Sequence, residues 1–283
     1  MERVCRLARL SRSSYYAAKQ RSENPPAMIH RRGPRPAIGD ADLLSLIKAD
    51  LDASHFDGEG HRKVWARLKF GQGLRVSRRR VLRLMREHNL LSPHRQAQGE
   101  AQTHDGTICT DKPNEMWGTD ATKVFTTQEG YVWVFVAVEH WNGQCMGWHV
   151  SKRGDRFAAL EPLCQGVLDQ FHSVGRGAAR GLALRMDHGS QYTSEHFQNQ
   201  IKAWGIAPSF SFLKQPETNG VAERFIRTAK EQVIYGRTFA DAQQLRQAME
   251  DFVALYNAQW RLEKNGYRTP LEMRSLWLAK PAA

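Results

Sequence analysis

Three carboxylates occur in sequence settings that suit a metal site. Asp120 lies inside an apolar, strand-like stretch, Asp187 closes a short apolar run, and Glu223 lies within a helical pattern. An aspartate inside a hydrophobic strand is costly unless it is paired or bound to a metal. Hard divalent cations prefer carboxylate oxygens, and two such ions can support in-line displacement at phosphorus. Together the three residues predict a two-metal site for phosphoryl transfer.

Each carboxylate also has an ordinary structural interpretation when it is taken alone. Asp120 could be an edge-strand residue, and Asp187 could belong to a simple Asp-His-Gly turn. Glu223 could pair with Arg227 at the i,i+4 spacing that is common on helix surfaces. The catalytic interpretation is favoured only when the three are combined with the basic region upstream.

Polar and basic residues repeat along the helix that contains Glu223. Asn219, Glu223 and Arg227 are spaced by four, and Lys230 lies seven residues beyond the glutamate. Residues at this spacing share one face of a helix. We therefore expect Asn219, Arg227 and Lys230 to contact the phosphates of DNA.

The positive charge is concentrated near the start of the chain. The formal net charge is +12, and residues 1–100 hold 21 Lys and Arg against 10 Asp and Glu. A concentrated basic region is the electrostatic footprint of a polyanionic partner. A solvated surface kept for solubility is the alternative, but the distribution favours nucleic acid.

Residues 40–95 predict three helices arranged as a helix-turn-helix domain. Asp40 can cap the first helix, residues 62–70 form the second, and Ser77 can cap the third after a glycine-containing turn. The third helix places five arginines on its outward face: Arg78, Arg79, Arg80, Arg83 and Arg86. So many like charges favour a DNA contact, with Arg78, Arg79, Arg80 and Arg83 as the predicted contacts, over a three-helix bundle with a charged face.

The periodicity of residues 113–260 predicts an α/β fold. Strands are expected at 117–125, 131–139, 145–150, 182–186 and 206–210, and helices at 155–171, 194–204, 217–236 and 241–258. This order implies a mixed sheet flanked by helices. The predicted domains are an N-terminal helical segment (1–22), a linker (23–39), the helix-turn-helix domain (40–95), a second linker (96–112), the core (113–260) and a C-terminal tail (261–283) that turns irregular around Asn265–Pro270.

Several other classes of protein do not fit the sequence. No run of about 18 apolar residues predicts a membrane span, and no apolar segment follows the basic N-terminus as in a secretory signal. The four cysteines are scattered and form no C-x-x-C pair, which favours reduced thiols in the cytoplasm. Walker A, G-x-S-x-G and dinucleotide-binding motifs do not occur.

The motifs around the three carboxylates resemble those of the DDE transposase and retroviral-integrase superfamily. Between Asp187 and Glu223 lie 35 residues, as is characteristic of that superfamily. The chain is most similar to the second-reading-frame transposases of the "IS three" insertion-sequence family. The residues that carry this resemblance are Val4–Tyr16, His61–Pro93, Trp117–Asp120, Met186–Tyr192, Asn219–Phe225, Tyr256–Asn257 and Gly266–Pro270.

The resemblance implies a ribonuclease H-like core that cleaves and joins DNA at the ends of an insertion sequence. It implies two Mg²⁺ or Mn²⁺ ions per active site, held by Asp120, Asp187 and Glu223, and a Lys230 that contacts the element end. The expected partners are the terminal inverted repeats, target DNA, the first-reading-frame product (free or as a frameshift fusion) and further copies of the chain. The expected location is the bacterial cytoplasm, at the nucleoid. A catalytically inactive DNA-binding regulator and a ribonuclease H-type nuclease remain the alternatives.

Overall fold

The computed structural model describes residues 11–23, 37–92, 110–211 and 219–279. Contacts divide the chain into two compact units, residues 1–43 and 44–283. The linkers predicted at 23–39 and 96–112, and the helical pattern predicted from Val4 to Leu10, lie wholly or largely outside the described residues. Among the helices that are described, none combines the length and the apolarity that crossing a membrane requires.

Short polar residues start the first two described helices. Helix α1 (Arg12–Glu23) follows Ser11, whose hydroxyl accepts a hydrogen bond from the Ser14 amide at 3.1 Å. Ser11 therefore caps α1. Helix α2 (Asp40–Asp52) carries Asp40 and Asp42 in its first turn, where negative charge interacts favourably with the helix dipole.

Two further helices form the predicted helix-turn-helix pair. Helix α3 (His61–Ala66) continues as a π-helical turn (Arg67–Gly71), and helix α4 spans Arg78–Glu87. The hydroxyl of Ser77 accepts from the Arg80 amide at 3.3 Å, so the predicted cap of α4 is confirmed. The buried residues of α4 are Val81, Leu84 and Met85, while Leu82 is only partly buried.

Five strands form a mixed sheet in the order β3-β2-β1-β4-β5. The first three strands are antiparallel, whereas β4 and β5 run parallel to β1. The strands are β1 (Met116–Thr126), β2 (Gly130–Glu139), β3 (Cys145–Ser151), β4 (Ala183–Met186) and β5 (Ala207–Phe210). The mixed sheet predicted from the sequence is confirmed.

Helices cover both faces of this sheet and enclose two apolar clusters. The helices are α5 (Arg156–Phe171), α6 (Ser190–Thr193), α7 (Glu195–Ala203), α8 (Gly220–Ala229) and α9 (Ala242–Gln259). One cluster includes Trp117 of β1 with residues of α5 and α7, and the other includes Val124 of β1 with residues of α8 and α9. Successive side chains of β1 thus enter opposite layers, as the period of a strand requires.

The helix predicted over 217–236 is confirmed from Gly220 to Ile234, but it does not extend to residue 236. Helix α8 begins at Gly220 and changes to a π-helical turn at Lys230–Ile234. The chain then leaves the helix because Tyr235 is extended and Gly236 has a φ of 76°. Residues 212–218 lie outside the described part of the chain.

The C-terminal tail, predicted to turn irregular around residues 265–270, also contains a helix that was not predicted, α10 (Pro270–Leu278). Thr269 and Glu272 form a reciprocal capping box, and Pro270 occupies the first turn, where its missing amide is tolerated. The guanidinium of Arg274 lies 3.3 Å from the carboxylate of Glu139, and both residues are buried. This ion pair attaches α10 to the end of β2.

Glu139 has several further partners at this point. Its carboxylate accepts hydrogen bonds from the Asn114 amide at 2.7 Å, the Trp141 amide at 3.2 Å and the Trp117 indole at 3.3 Å. Burial raises the pKa of Glu139, while these hydrogen bonds and the charge of Arg274 act to lower it. A buried charge with so many partners is a structural anchor.

Replacement of Arg274 by Met tests this anchor. We expect the free energy of unfolding to fall by about 3–5 kcal/mol, since a buried carboxylate is left without its cation. Adding Glu139→Gln to the same chain should recover part of the loss because the remaining buried group is neutral. Urea unfolding of the single and double variants measures both values. Equal stabilities of the wild type and Arg274→Met would contradict the anchor.

Candidate active site and DNA-contacting surfaces

Asp120 lies in the middle of the central strand. It is opposite Val136 in the β1–β2 pair, and its side chain is partly buried. Its carboxylate accepts a hydrogen bond from the Ala121 amide at 2.8 Å. The predicted strand position is therefore confirmed, and the carboxylate is held close to its own backbone.

Asp187 follows the last residue of β4 and is exposed. The parallel register pairs Gly118 with Arg185, so its continuation by two residues brings Asp187 beside Asp120. The Asp187 carboxylate accepts a hydrogen bond from the Gly189 amide at 2.8 Å. Parallel pairing thus brings together two residues that lie far apart in the sequence.

Helix α8 supplies the third carboxylate. Glu223 is exposed near its start, and Arg227 is exposed one turn later, where it contacts Glu231 at 3.2 Å. Lys230 is partly buried at the start of the π-helical turn. The structure confirms that Glu223 and Arg227 share a helix face.

The electrostatic environment of Asp120 shows that these groups interact. The pKa of the Asp120 carboxyl is raised to about 6, mainly by burial and also by the negative charges of Asp187 and Glu223. The hydrogen bond from Ala121 and the positive charge of Lys230 act in the opposite direction. The three predicted carboxylates and the predicted lysine therefore lie within electrostatic reach of one another.

This donor set fits a hard divalent cation. Carboxylate oxygens are the ligands that Mg²⁺ and Mn²⁺ prefer, and the repulsion at Asp120 is the kind that a cation relieves. Within the described ranges, no three His, Cys, Asp or Glu side chains converge closely enough to form a ready cage. The carboxylates of Asp120 and Asp187 instead accept backbone amides.

Asn219 does not occupy the position that a DNA contact requires. Only 3% of the residue is exposed, and its side-chain amide donates to the Thr119 carbonyl at 2.9 Å. The spacing argument assumed that residue 219 is helical, but it lies just before α8 with φ −107° and ψ 21°. Its side chain therefore points into the protein, between α8 and β1.

Sequence reasoning missed two neighbours of Asn219. A Cβ atom on Gly118 would lie 2.8 Å from the Asn219 side-chain oxygen and 3.0 Å from the His140 ring. A glycine inside an otherwise apolar strand indicates a close approach of this kind, so Gly118 carried a signal. His140 carried none, because its proximity arises only from strand pairing.

The arginines of α4 differ in their surroundings. Arg79 and Arg86 are exposed, and Arg83 contacts Glu87 at 2.9 Å. Arg78 donates to the Tyr267 hydroxyl at 3.1 Å and lies 3.4 Å from the Glu263 carboxylate. Part of the predicted DNA-contacting face thus also docks against the C-terminal segment.

The raised pKa of Asp120 gives a test in metal-free protein. A folded-state pKa of about 6 means that Asp120 contributes stability at low pH, which is lost as the pH rises through 6. Asn cannot ionise, so the free energy of unfolding of Asp120→Asn relative to that of the wild type should increase as the pH rises from 4.5 to 7.5. Urea unfolding with a chelator measures this. The control is Asp155→Asn at the cap of α5, which also removes one carboxylate. If the stability gain of Asp120→Asn is no larger than that of Asp155→Asn, the raised pKa of Asp120 is contradicted.

Comparisons with known proteins match most of the chain. Residues 110–216 and 204–270 match two families that are both described as an integrase core domain, and residues 40–98 match an HTH-like domain. The integrase core family generally uses divalent metal ions. A chain in the cryo-EM structure of a simian T-cell lymphotropic virus intasome in complex with PP2A regulatory subunit B56 gamma has a similar fold. It aligns with a TM-score of 0.51 at 17% identity, over 87% of this chain and 77% of that chain.

The similar curated proteins are transposases, and they match over nearly their whole length. The transposase for insertion sequence element IS629 of Shigella sonnei is 27% identical, over 98% of this chain and 92% of its own length. Transposase InsD for insertion element IS2 of Escherichia coli is 24% identical, over 95% of this chain and 89% of its own length. The chain therefore belongs to the DDE transposase and integrase superfamily of polynucleotidyl transferases, and its similarity to the IS629 and IS2 transposases is consistent with the "IS three" family.

Proposed function

We propose that this transposase cleaves and joins DNA strands at the ends of its insertion sequence with Asp120, Asp187 and Glu223 as its metal-binding catalytic residues. The observation that carries the proposal is the parallel register of β1 and β4, which brings Asp187 beside Asp120. The raised pKa of Asp120, to which Asp187 and Glu223 both contribute, supports it. Holding carboxylates near one another without a compensating cation lowers the stability of a protein. Such unfavourable clusters are found mainly at functional sites.

The residues of the proposed site would have separate roles in the reaction. Two bound Mg²⁺ or Mn²⁺ ions would activate a water or 3′-hydroxyl and stabilise the leaving oxygen in an in-line displacement. Asp120 and Asp187 would share these ions, and Glu223 would complete one of the two sites. Lys230, whose charge already acts on Asp120, would hold a phosphate of the element end next to them.

A second surface, on helix α4, would recognise the DNA. Helix α4 presents Arg78, Arg79, Arg80 and Arg83, which would bind phosphates or guanine edges of the terminal repeats. Arg227 would extend the contact along α8. We further propose that the first-reading-frame product, free or fused, supplies additional repeat recognition, and that copies of the chain assemble on DNA at the bacterial nucleoid in the cytoplasm.

Substitution of the carboxylates tests the chemistry. With Mg²⁺ and labelled element ends, Asp187→Asn and Glu223→Gln should lower strand joining by on the order of 10³-fold, since metal-assisted charge stabilisation supplies several kcal/mol. Glu250→Gln, another exposed glutamate on a helix, is the matched control and should retain activity. Joining that survives Asp187→Asn would refute the metal site. Cleavage without joining would indicate a nuclease, and binding alone a regulator.

The role of α4 is tested by the salt dependence of DNA binding. Arg79→Ala should weaken binding and reduce the slope of log K against log salt by about 1, as expected for one lost phosphate contact. Arg176→Ala removes an exposed arginine from the loop after α5 and is the control. Fluorescence anisotropy over a salt series measures the slope. An unchanged slope in Arg79→Ala would place the DNA elsewhere.

A further inference from the structure

One side-chain amide links the two elements that carry Asp120 and Glu223. Asn219 stands one turn before Glu223, and its Nδ2 donates to the carbonyl oxygen of Thr119 at 2.9 Å. Thr119 directly precedes Asp120 on β1. The orientation of this amide therefore affects the position of helix α8 relative to the central strand.

The same hydrogen bond fixes which atom the amide presents on its other side. With Nδ2 directed at Thr119, the Oδ1 atom of Asn219 faces Gly118, where an added Cβ would lie only 2.8 Å from it. Oδ1 is buried and has no hydrogen-bond partner among the described residues. A buried acceptor without a donor costs free energy, so a donor is required here.

His140 places a ring nitrogen beside the same glycine. Its Nε2 atom would lie 3.0 Å from a Cβ on Gly118, and neither ring nitrogen has a partner within the described part of the chain. His140 is 7% exposed, and its backbone is fixed because its carbonyl accepts from Lys264 at 2.8 Å and its amide donates to Met116 at 2.9 Å. Only the small size of glycine leaves room for the two side chains.

The ring of His140 is neutral at physiological pH. Burial, together with the positive charges of Lys264 and Arg185, lowers the pKa of His140 to about 4. A neutral imidazole has one N–H donor and one acceptor nitrogen. It can therefore donate a single hydrogen bond without bringing a charge into the core.

We propose that His140 is a positioning residue for the metal-binding carboxylates. Its Nε2–H donates to Oδ1 of Asn219 across Gly118 through one buried water, and so holds the amide that joins β1 to α8. The histidine acts through Asn219 and touches neither DNA nor metal. The inference rests on the proposed function of Asp120 and Glu223, and it adds the group that sets their relative position.

Direct metal binding tests the proposal without requiring activity. Isothermal titration with Mn²⁺ should show about tenfold weaker binding to His140→Ala than to wild type, as is typical when an outer-shell group is lost. His140→Gln keeps an amide donor and should restore most of the affinity. His149→Ala removes a partly buried histidine from β3 and should bind Mn²⁺ like the wild type. Equal affinities of His140→Ala and His149→Ala would overturn the proposal.

A measurement on the wild-type chain covers the case in which His140→Ala does not fold. With ¹⁵N-labelled histidine at pH 7, the His140 signal, assigned by its loss in His140→Gln, should report a neutral ring protonated on Nε2. Asn219→Ala should shift this signal. A proton on Nδ1, or a signal that Asn219→Ala leaves unchanged, overturns the inference.

The two hypotheses fail in different ways. If wild type and Asp187→Asn bind Mn²⁺ equally, the proposed metal site fails, while the histidine spectrum still decides the Asn219 contact. If Asp187→Asn loses Mn²⁺ but His140→Ala matches His149→Ala, only the positioning role fails.

Discussion

The carboxylates that we propose to act together repel one another, and the fold has to oppose this repulsion. At Asp120 the repulsion adds to the cost of burial and is only partly offset by Lys230. The three carboxylates come from separate secondary-structure elements, so the connecting chain does not hold them close together. The parallel pairing of β1 with β4 fixes the first two, and the packing of α8 fixes the third. The pairing and packing of the sheet therefore supply the stability that keeps the three carboxylates together.

The sheet can supply that stability because β1 is the central strand and has buried side chains on both of its faces. Trp117 is fully buried in one apolar layer and Val124 is nearly so in the other, on either side of Asp120 along the strand. Burying such side chains is worth on the order of 2 kcal/mol each. The strand thus tolerates a polar interruption at Asp120 that an edge strand could not hold in place.

The sequence allowed most of the core elements and the three carboxylates to be predicted, because alternation, capping residues and local context are short-range signals. Interactions between distant segments were not predictable in this way. Asn219 was assigned to an exposed helix face, yet it precedes the helix and bonds to Thr119, 100 residues away. Helix α10 was not predicted because the residues before it, around 265–270, form no regular pattern. Thr269 and Pro270 nevertheless form a recognisable helix start.

The C-terminal segment shows how such distant contacts connect the proposed DNA-binding helix to the sheet that carries the proposed metal site. Its Tyr267 and Glu263 bind Arg78 of helix α4, while Arg274 binds Glu139 at the end of β2. The docking does not prevent Arg78 from contacting DNA. Both contacts use the same terminal nitrogen, a guanidinium has five N–H donors, and 48% of the side chain is exposed. A phosphate can therefore bind at the remaining donors while the C-terminal segment keeps α4 in place relative to the sheet.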